Sequence, residues 1–160
     1  MSNPPKGEEV LHLPTIVEAA ESSPAAAKEC AQLIRKYLSK DNAVRSHVQY
    51  NGIMLVRILS DNPGPTFTRN IDKKFVDTVK ELLKFGRDPG VRQILIETLQ
   101  NFATEKQQDA NLHPLTEMWK KEQAKIARVY GSNVSYNYAN QVIIRLTNTN
   151  IGHVSCSANF

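Results

Sequence analysis

Residues 47–64 read HVQYNGIMLVRILSDNPG, and this stretch decides the fold class. It gathers apolar residues around a single basic residue, Arg57, and ends in an Asp-Asn-Pro-Gly sequence. A membrane span needs about 20 apolar residues, and the run from Gly52 to Leu59 supplies roughly a third of them. The pattern therefore predicts a helix of a globular protein, from about Ala43 to Ser60 and buried on nearly all sides. Its apolar set is Val44, Val48, Ile53, Leu55, Val56, Ile58 and Leu59.

Helix signals continue on both sides of this stretch. Ser23 with Pro24, Asp72, Asp88 with Pro89, and His113 with Pro114 are typical helix starts, and each precedes apolar residues at three- and four-residue steps. Gly86 is placed to end a helix, whereas a connector is expected around Phe67 and Ile71. Alternation typical of strands is missing before residue 131. The sequence predicts an all-α fold in which six or so helices pack on their neighbours around the central one, as a solenoid-like bundle rather than an up-down four-helix bundle.

Composition divides the chain into three parts. Residues 1–12 contain two prolines and a glycine and are expected to form a flexible lead-in, while residues 13–131 carry the helical pattern. Residues 132–160 hold many Asn, Ser and Thr and a single charged residue, Arg145, which predicts a disordered tail. The N-terminal residues lack the pattern of a signal peptide.

Charge and cysteine content narrow the function classes. The 160-residue chain has a formal net charge of +4, which favours an acidic partner or an anionic membrane surface but is too small to indicate nucleic acid. Cys30 and Cys156 form neither a disulfide framework nor a metal-binding pattern. Cys30 falls in an apolar helical register and is expected to be a small buried thiol, which fits a reducing compartment.

Catalytic signatures are not found. The glycines do not form a phosphate-binding loop, and the four histidines are too far apart in sequence for a zinc motif. His47, one turn before Tyr50 and Asn51, is better explained as a packed or partly exposed histidine than as a proton-transfer group. We therefore predict a protein that is not an enzyme, with no catalytic, cofactor-binding or metal-binding residues and no cofactor.

Two helices concentrate lysine. The first carries Lys73, Lys74, Lys80 and Lys84, and the last carries Lys120, Lys121, Lys125 and Arg128 beside Trp119. If these helices are neighbours, they frame a basic groove with an aromatic floor that suits an acidic, partly apolar peptide or a phosphoinositide headgroup. The interleaved acids Asp77, Glu81, Glu117 and Glu122 weaken that positive potential. The other interpretation, a solvated lysine face with Trp119 in the core, stays open.

A family resemblance rests on three segments. SPAAAKECAQLIRKYLSKDNAVRSHVQYNGIMLVRILSDNPG (residues 23–64) resembles the part of a VHS domain that leads to its long buried helix. IDKKFVDTVKELLKFGRDPGVRQILIETLQNFAT (residues 71–104) is similar to the two helices that follow, and PLTEMWKKEQAKIARVYG (residues 114–131) stands where the last VHS helix belongs. The resemblance, to the ENTH/VHS superfamily and to fungal VHS-GAT adaptors, implies a right-handed superhelix of about six to eight helices.

The same resemblance implies a function. VHS domains act in endosomal or endocytic sorting and bind ubiquitin or acidic dileucine signals, and some members of the superfamily bind phosphoinositides. The first VHS helix is largely missing here, and residues 13–18 lack the tryptophan that often contacts ubiquitin. Sorting-signal binders hold their ligand between helices that match residues 73–84 and 119–125 of this chain.

The function predicted is a monomeric adaptor module, cytoplasmic and peripheral on endosomal or endocytic membranes. Its partners would be an acidic sorting peptide, ubiquitinated cargo or an anionic phosphoinositide surface, and not nucleic acid. The alternative is a nuclear domain, on a related superhelix, that binds phosphorylated RNA polymerase II tail peptides. The predicted partner-binding residues are Lys73, Lys74, Phe75, Lys80, Lys84, Trp119, Lys120 and Lys121, where the lysines capture the partner electrostatically and the aromatic residues supply apolar contact.

Overall fold

The computed structural model describes residues 8–130, with side chains from His12 to Arg128. These residues form an all-α helical superhelix with no strand, as predicted, and two short 3₁₀ turns at Lys40–Asn42 and Ala110–Leu112. The helices are α1 Glu8–Ser22, α2 Pro24–Leu38, α3 Ser46–Asp61, α4 Pro65–Thr68, α5 Lys73–Phe85, α6 Pro89–Glu105 and α7 His113–Tyr130. Within this part of the chain, no helix combines the length and apolar character needed to cross a bilayer.

Side-chain caps explain where three helices begin. The Ser23 hydroxyl accepts a hydrogen bond from the Ala26 N–H (3.1 Å) at the start of α2. Asp72 accepts from the Phe75 N–H (2.8 Å) and starts α5. Asp88 accepts from the backbone N–H of Val91 (2.9 Å) at the start of α6. Each cap satisfies a backbone donor that has no partner within the helix and is worth about 1 kcal/mol, so the three predicted helix starts are confirmed.

The central helix α3 differs from its prediction. It begins at Ser46, and Val44 lies in the preceding turn with 83% of its surface exposed. The buried positions of α3 are Gln49, Gly52, Ile53, Val56, Leu59 and Ser60. They recur every three or four residues and so define one face, which packs against α2, α4 and α6. Leu55 and Ile58 remain partly exposed, so the expected burial on nearly all sides is wrong.

Close approach explains two glycines. A Cβ at Gly52 would lie 3.0 Å from Cδ2 of Leu38, so the glycine allows α3 to pack tightly against α2. Gly86 ends α5, as predicted, but with φ −56° rather than in the left-handed conformation of a C-terminal glycine. A Cβ there would come within 2.5 Å of the Leu82 carbonyl oxygen. Gly86 is therefore required for space, not for its backbone angles.

The short helix α4 was not predicted, because its four residues are too few for a helical pattern. Gly64 has φ +66°, a conformation that favours glycine, and Pro65 follows it at the first helical position. This turn carries Phe67 into the core, where it is fully buried. The expected connector is therefore a turn of helix that adds an aromatic residue to the core.

Of the two predicted domain boundaries, the one between residues 12 and 13 falls within the described residues. Helix α1 begins at Glu8 and so includes the end of the predicted lead-in, residues 1–12. The predicted tail, residues 132–160, lies outside the described residues, as do Cys156 and His153.

Cys30 is partly buried. Its burial raises the pKa of the thiol, and the negative charge of Glu29 adds a smaller effect in the same direction.

Candidate functional site

A groove runs between α5 and α7, which pack against each other. Its volume is about 520 Å³, within the range of ligand-binding clefts. The residues that line it are Lys73, Val76, Asp77, Lys80, Pro114, Glu117, Met118, Lys121, Glu122, Ala124, Lys125 and Arg128. We refer to it as the α5–α7 groove.

Helical spacing explains why these residues face one another. On α5, Lys73, Asp77 and Lys80 follow at steps of four and three and therefore share one side of the helix. The lining residues of α7 recur at the same kind of spacing, from Pro114 to Arg128. The condition on which the predicted groove depended, that the two lysine-bearing helices are neighbours, is thus met in the structure.

Glu122 is the electrostatic centre of the groove. Only 7% of its surface is exposed, and its carboxylate lies 2.9 Å from Nζ of Lys125, 3.6 Å from that of Lys84 and 4.0 Å from that of Lys80. Burial by itself raises the pKa of Glu122, but the hydrogen bond from Lys125 and the charges of Lys84, Lys125 and Lys80 together hold that pKa below its usual value. Glu122 therefore stays ionised and neutralises part of the lysine charge.

The remaining positive charge lies along the groove walls. Five basic and three acidic side chains line it, which leaves a net charge of +2. Lys73, Lys121 and Arg128 are exposed, and none of them forms an ion pair with a carboxylate of residues 12–128, whose side chains the structure describes. Between these cations lie Val76 and Met118, of which 9% and 7% are exposed. The groove thus combines free cations with a narrow apolar floor.

The predicted aromatic contacts are wrong. Phe75 is 1% exposed and Trp119 is fully buried, and the Trp119 Nε1–H donates to Oε1 of Gln100 on α6 (3.2 Å). Both side chains fall on the inner face of their helices, where their large apolar area stabilises the core. The core position of Trp119, which was one part of the alternative interpretation, is confirmed. Val76 and Met118 form the floor instead, and their spacing of three residues from Lys73 and Lys121 was the signal available in the sequence.

The predicted lysines divide among several environments. Lys73, Lys80 and Lys121 line the α5–α7 groove. Lys84 pairs with Glu122 but does not line the groove, and Lys120 pairs with Glu117 at 3.4 Å on the exposed surface of α7, a contact worth little. Lys74 lines a different pocket, which α5 shares with α2. Adjacent lysines, 73 with 74 and 120 with 121, therefore differ in position, because consecutive helical residues point about 100° apart.

Groups that could support chemistry are sparse in the described part of the chain. Among residues 12–128, no group of three or more His, Cys, Asp or Glu side chains could hold a metal ion. His12 and His47 are exposed, and a ring nitrogen of His113 lies 3.2 Å from the carbonyl oxygen of Gln107. These positions do not assemble an acid–base pair with a nucleophile.

Comparison of the chain with family models, with curated proteins and with solved structures gave no match.

Proposed function

We propose that the protein is a non-enzymatic binding module that holds an acidic peptide with a large aliphatic residue in the α5–α7 groove. The observation that carries this proposal is the set of three cations, Lys73, Lys121 and Arg128, around the apolar floor of Val76 and Met118. None of the three has an ion-pair partner among the side chains that the structure describes. Carboxylates of the peptide would pair with the cations, and its aliphatic side chain would cover the floor.

The acidic residues of the groove argue for a peptide over a uniform polyanion. Asp77 and Glu117 are exposed among the lysines, and Glu122 lies beneath them. A nucleic-acid backbone, with a charge at every phosphate, would meet these carboxylates along its path. A peptide can place its acidic and apolar residues at chosen positions and avoid them. Net charge of only +2 along the groove fits such a short acidic ligand.

The cellular role follows from the resemblance of the sequence to VHS domains. We place the protein among adaptors of vesicle-mediated traffic, cytoplasmic and peripheral on endosomal or endocytic membranes. The peptide would then be a sorting signal of cargo, with ubiquitin and an anionic phosphoinositide surface as further partners. This role is a proposal of its own, because the groove defines a ligand class and not a compartment.

A binding titration with matched variants tests the groove. An acidic peptide ending in two leucines is labelled with a fluorophore and titrated against the protein and against the variant Lys73→Gln with Lys121→Gln. We expect affinity to fall by about tenfold or more, because two charge-assisted contacts are removed. Replacing the two leucines by serines is also expected to weaken binding, because the apolar floor then has no partner.

The control variant is Lys74→Gln with Lys120→Gln. It removes the same two charges from neighbouring positions on the same helices, but neither side chain lines the groove. Its peptide affinity should match that of the unmodified protein to within about twofold. Equal losses in the two variants, or tighter binding of ubiquitin or of a phosphorylated polymerase-tail peptide than of the acidic dileucine peptide, would refute the proposal.

A further inference from the structure

A second pocket lies on the opposite flank of α5, where this helix meets α2 and the end of α4. Its volume is about 270 Å³. It is lined by Lys28, Ala31, Gln32, Arg35, Arg69, Asn70, Asp72, Lys74 and Phe75. Lys28 and Arg35 lie two turns apart on one side of α2, Arg69 directly follows α4, and Lys74 stands in the first turn of α5. We refer to it as the α2–α5 pocket.

The α2–α5 pocket has an excess of positive charge that the described side chains do not compensate. Four cations face one carboxylate, Asp72, which already accepts the capping hydrogen bond from the Phe75 N–H (2.8 Å). None of the four cations forms an ion pair with an acidic side chain of residues 12–128. The α5–α7 groove differs in this respect, because Glu122 there pairs with three lysines. Clustered like charges around a concave surface attract anions and raise their local concentration.

The residue types indicate which anion fits. A guanidinium binds phosphate oxygens through two parallel hydrogen bonds, and a lysine ammonium adds a point charge. The pocket has two of each, and its net charge is +3. One phosphate group carries a charge of only about −1.5 to −2 at neutral pH, so a single phosphate leaves part of the positive charge of the pocket uncompensated. Two phosphate groups on one small scaffold carry enough negative charge to balance it.

The surroundings favour a compact ligand over an extended chain. The neighbouring depression along α2 shares Arg35 with the pocket and adds Glu29, Lys36 and Asp41. Its two acidic and two basic side chains leave it neutral, so the positive excess ends at the rim of the pocket. Apolar lining is limited to Ala31 and Phe75, which are both buried, and an extended phosphopeptide would find little apolar surface there.

We propose that the α2–α5 pocket binds a compact ligand with two phosphate groups, either a free polyol bisphosphate or the same chemistry presented as a lipid headgroup. Lys28 and Arg35 from α2 approach it from one side, and Arg69 and Lys74 from the other. The pocket shares no lining residue with the α5–α7 groove, so this proposal does not depend on the proposed peptide binding. Its lipid form deepens the proposed function, because it gives the phosphoinositide partner a binding site.

Two probes distinguish the source of the ligand. Soluble inositol bisphosphate is titrated by calorimetry, and co-sedimentation is measured with phosphatidylcholine vesicles that contain or lack phosphatidylinositol monophosphate. Binding of both probes assigns the pocket to a lipid headgroup, whereas binding of the soluble probe alone assigns it to a free bisphosphate. A failure of both probes to bind would overturn the proposal, as would tighter binding of a phosphoserine peptide than of inositol bisphosphate.

The variant Arg69→Gln with Lys74→Gln tests the location of the site. Both residues are exposed, and circular dichroism and a melting curve establish that the variant folds. We expect at least a tenfold loss of affinity for inositol bisphosphate. The control, Lys73→Gln with Lys121→Gln, removes two charges from the α5–α7 groove and should retain affinity to within about twofold. Equal losses in both variants would show a net-charge effect and refute the assigned site.

Discussion

Glu122 on α7 and Lys84 at the end of α5 form an ion pair across 3.6 Å, and this pair joins the two helices that frame the α5–α7 groove. Lys125 shares the same carboxylate from one turn further along α7. The three lysines around Glu122 are 38–58% exposed at their side chains, whereas the Glu122 side chain is 10% exposed. The buried carboxylate of Glu122 thus neutralises part of the positive charge of the surrounding lysines. Its removal should change the free energy of unfolding and the dependence of that free energy on pH.

Replacing Glu122 with Gln should lower the free energy of unfolding by about 1–2 kcal/mol near neutral pH. The pKa of Glu122 is lowered in the folded protein. The stability that it contributes is therefore fully present above the unfolded value of 4.5 and is lost as the pH falls through the lower folded pKa. Denaturant unfolding at several pH values should show a smaller acid-dependent loss for the variant than for the unmodified protein. Identical pH profiles would contradict the assignment, and Glu117→Gln, at an exposed pair, is the control.

Features that depend on residues close together in the sequence could be predicted, whereas features that depend on contacts between different helices could not. Helix starts at Ser23, Asp72 and Asp88 were predictable because a cap and the amide it binds are three residues apart. The sequence left the inward position of Trp119 open, because its partner Gln100 lies on another helix. The two lysine-bearing helices could be recognised from the sequence, which did not establish that they are neighbours. Which lysines share a groove depends on the rotation of each helix against the core. Local pattern leaves that rotation open wherever apolar residues flank the lysines on both sides.

Trp119→Phe is expected to lower stability without changing peptide binding. The variant loses the hydrogen bond to Gln100 and leaves unfilled space in the core, at a cost of about 1–3 kcal/mol. Chemical denaturation gives the stability change, and the peptide titration described above gives the affinity under conditions in which both proteins are folded. Affinity should agree to within about twofold, since Trp119 is fully buried. A large loss of affinity with unchanged stability would show that the indole contacts the ligand.

Lys106→Met should weaken the connection between α6 and α3. Lys106 Nζ donates to the Ser60 carbonyl oxygen (3.0 Å) and forms an ion pair with Asp61, so it links the end of α6 to the end of α3. Loss of the charged donor is expected to cost about 1–2 kcal/mol of unfolding free energy. Asp61→Asn removes only the exposed carboxylate and should cost less than about 1 kcal/mol. If Asp61→Asn costs as much as Lys106→Met, the ion pair rather than the bond to Ser60 provides the stability.

Arg92→Met is expected to stabilise the protein. Arg92 is 1% exposed, and its Nε and Nη2 atoms have no hydrogen-bond partner among the described residues. Burial lowers the pKa of this guanidinium, although the nearby carboxylate of Asp88 acts in the opposite direction. A buried charge whose donors lack hydrogen bonds is costly, and methionine keeps the aliphatic stem that packs beside Gly86.

The Arg92→Met variant should therefore gain about 1 kcal/mol or more in unfolding free energy, measured by denaturant titration at neutral pH. Arg92→Ala is the control, because it removes the charge and the packing together and leaves a cavity whose cost offsets the gain. If Arg92→Met instead lowers stability by as much as Arg92→Ala, the guanidinium has a favourable interaction in the folded chain. In that case the charge, and not only the stem, of Arg92 holds the start of α6 against the end of α5.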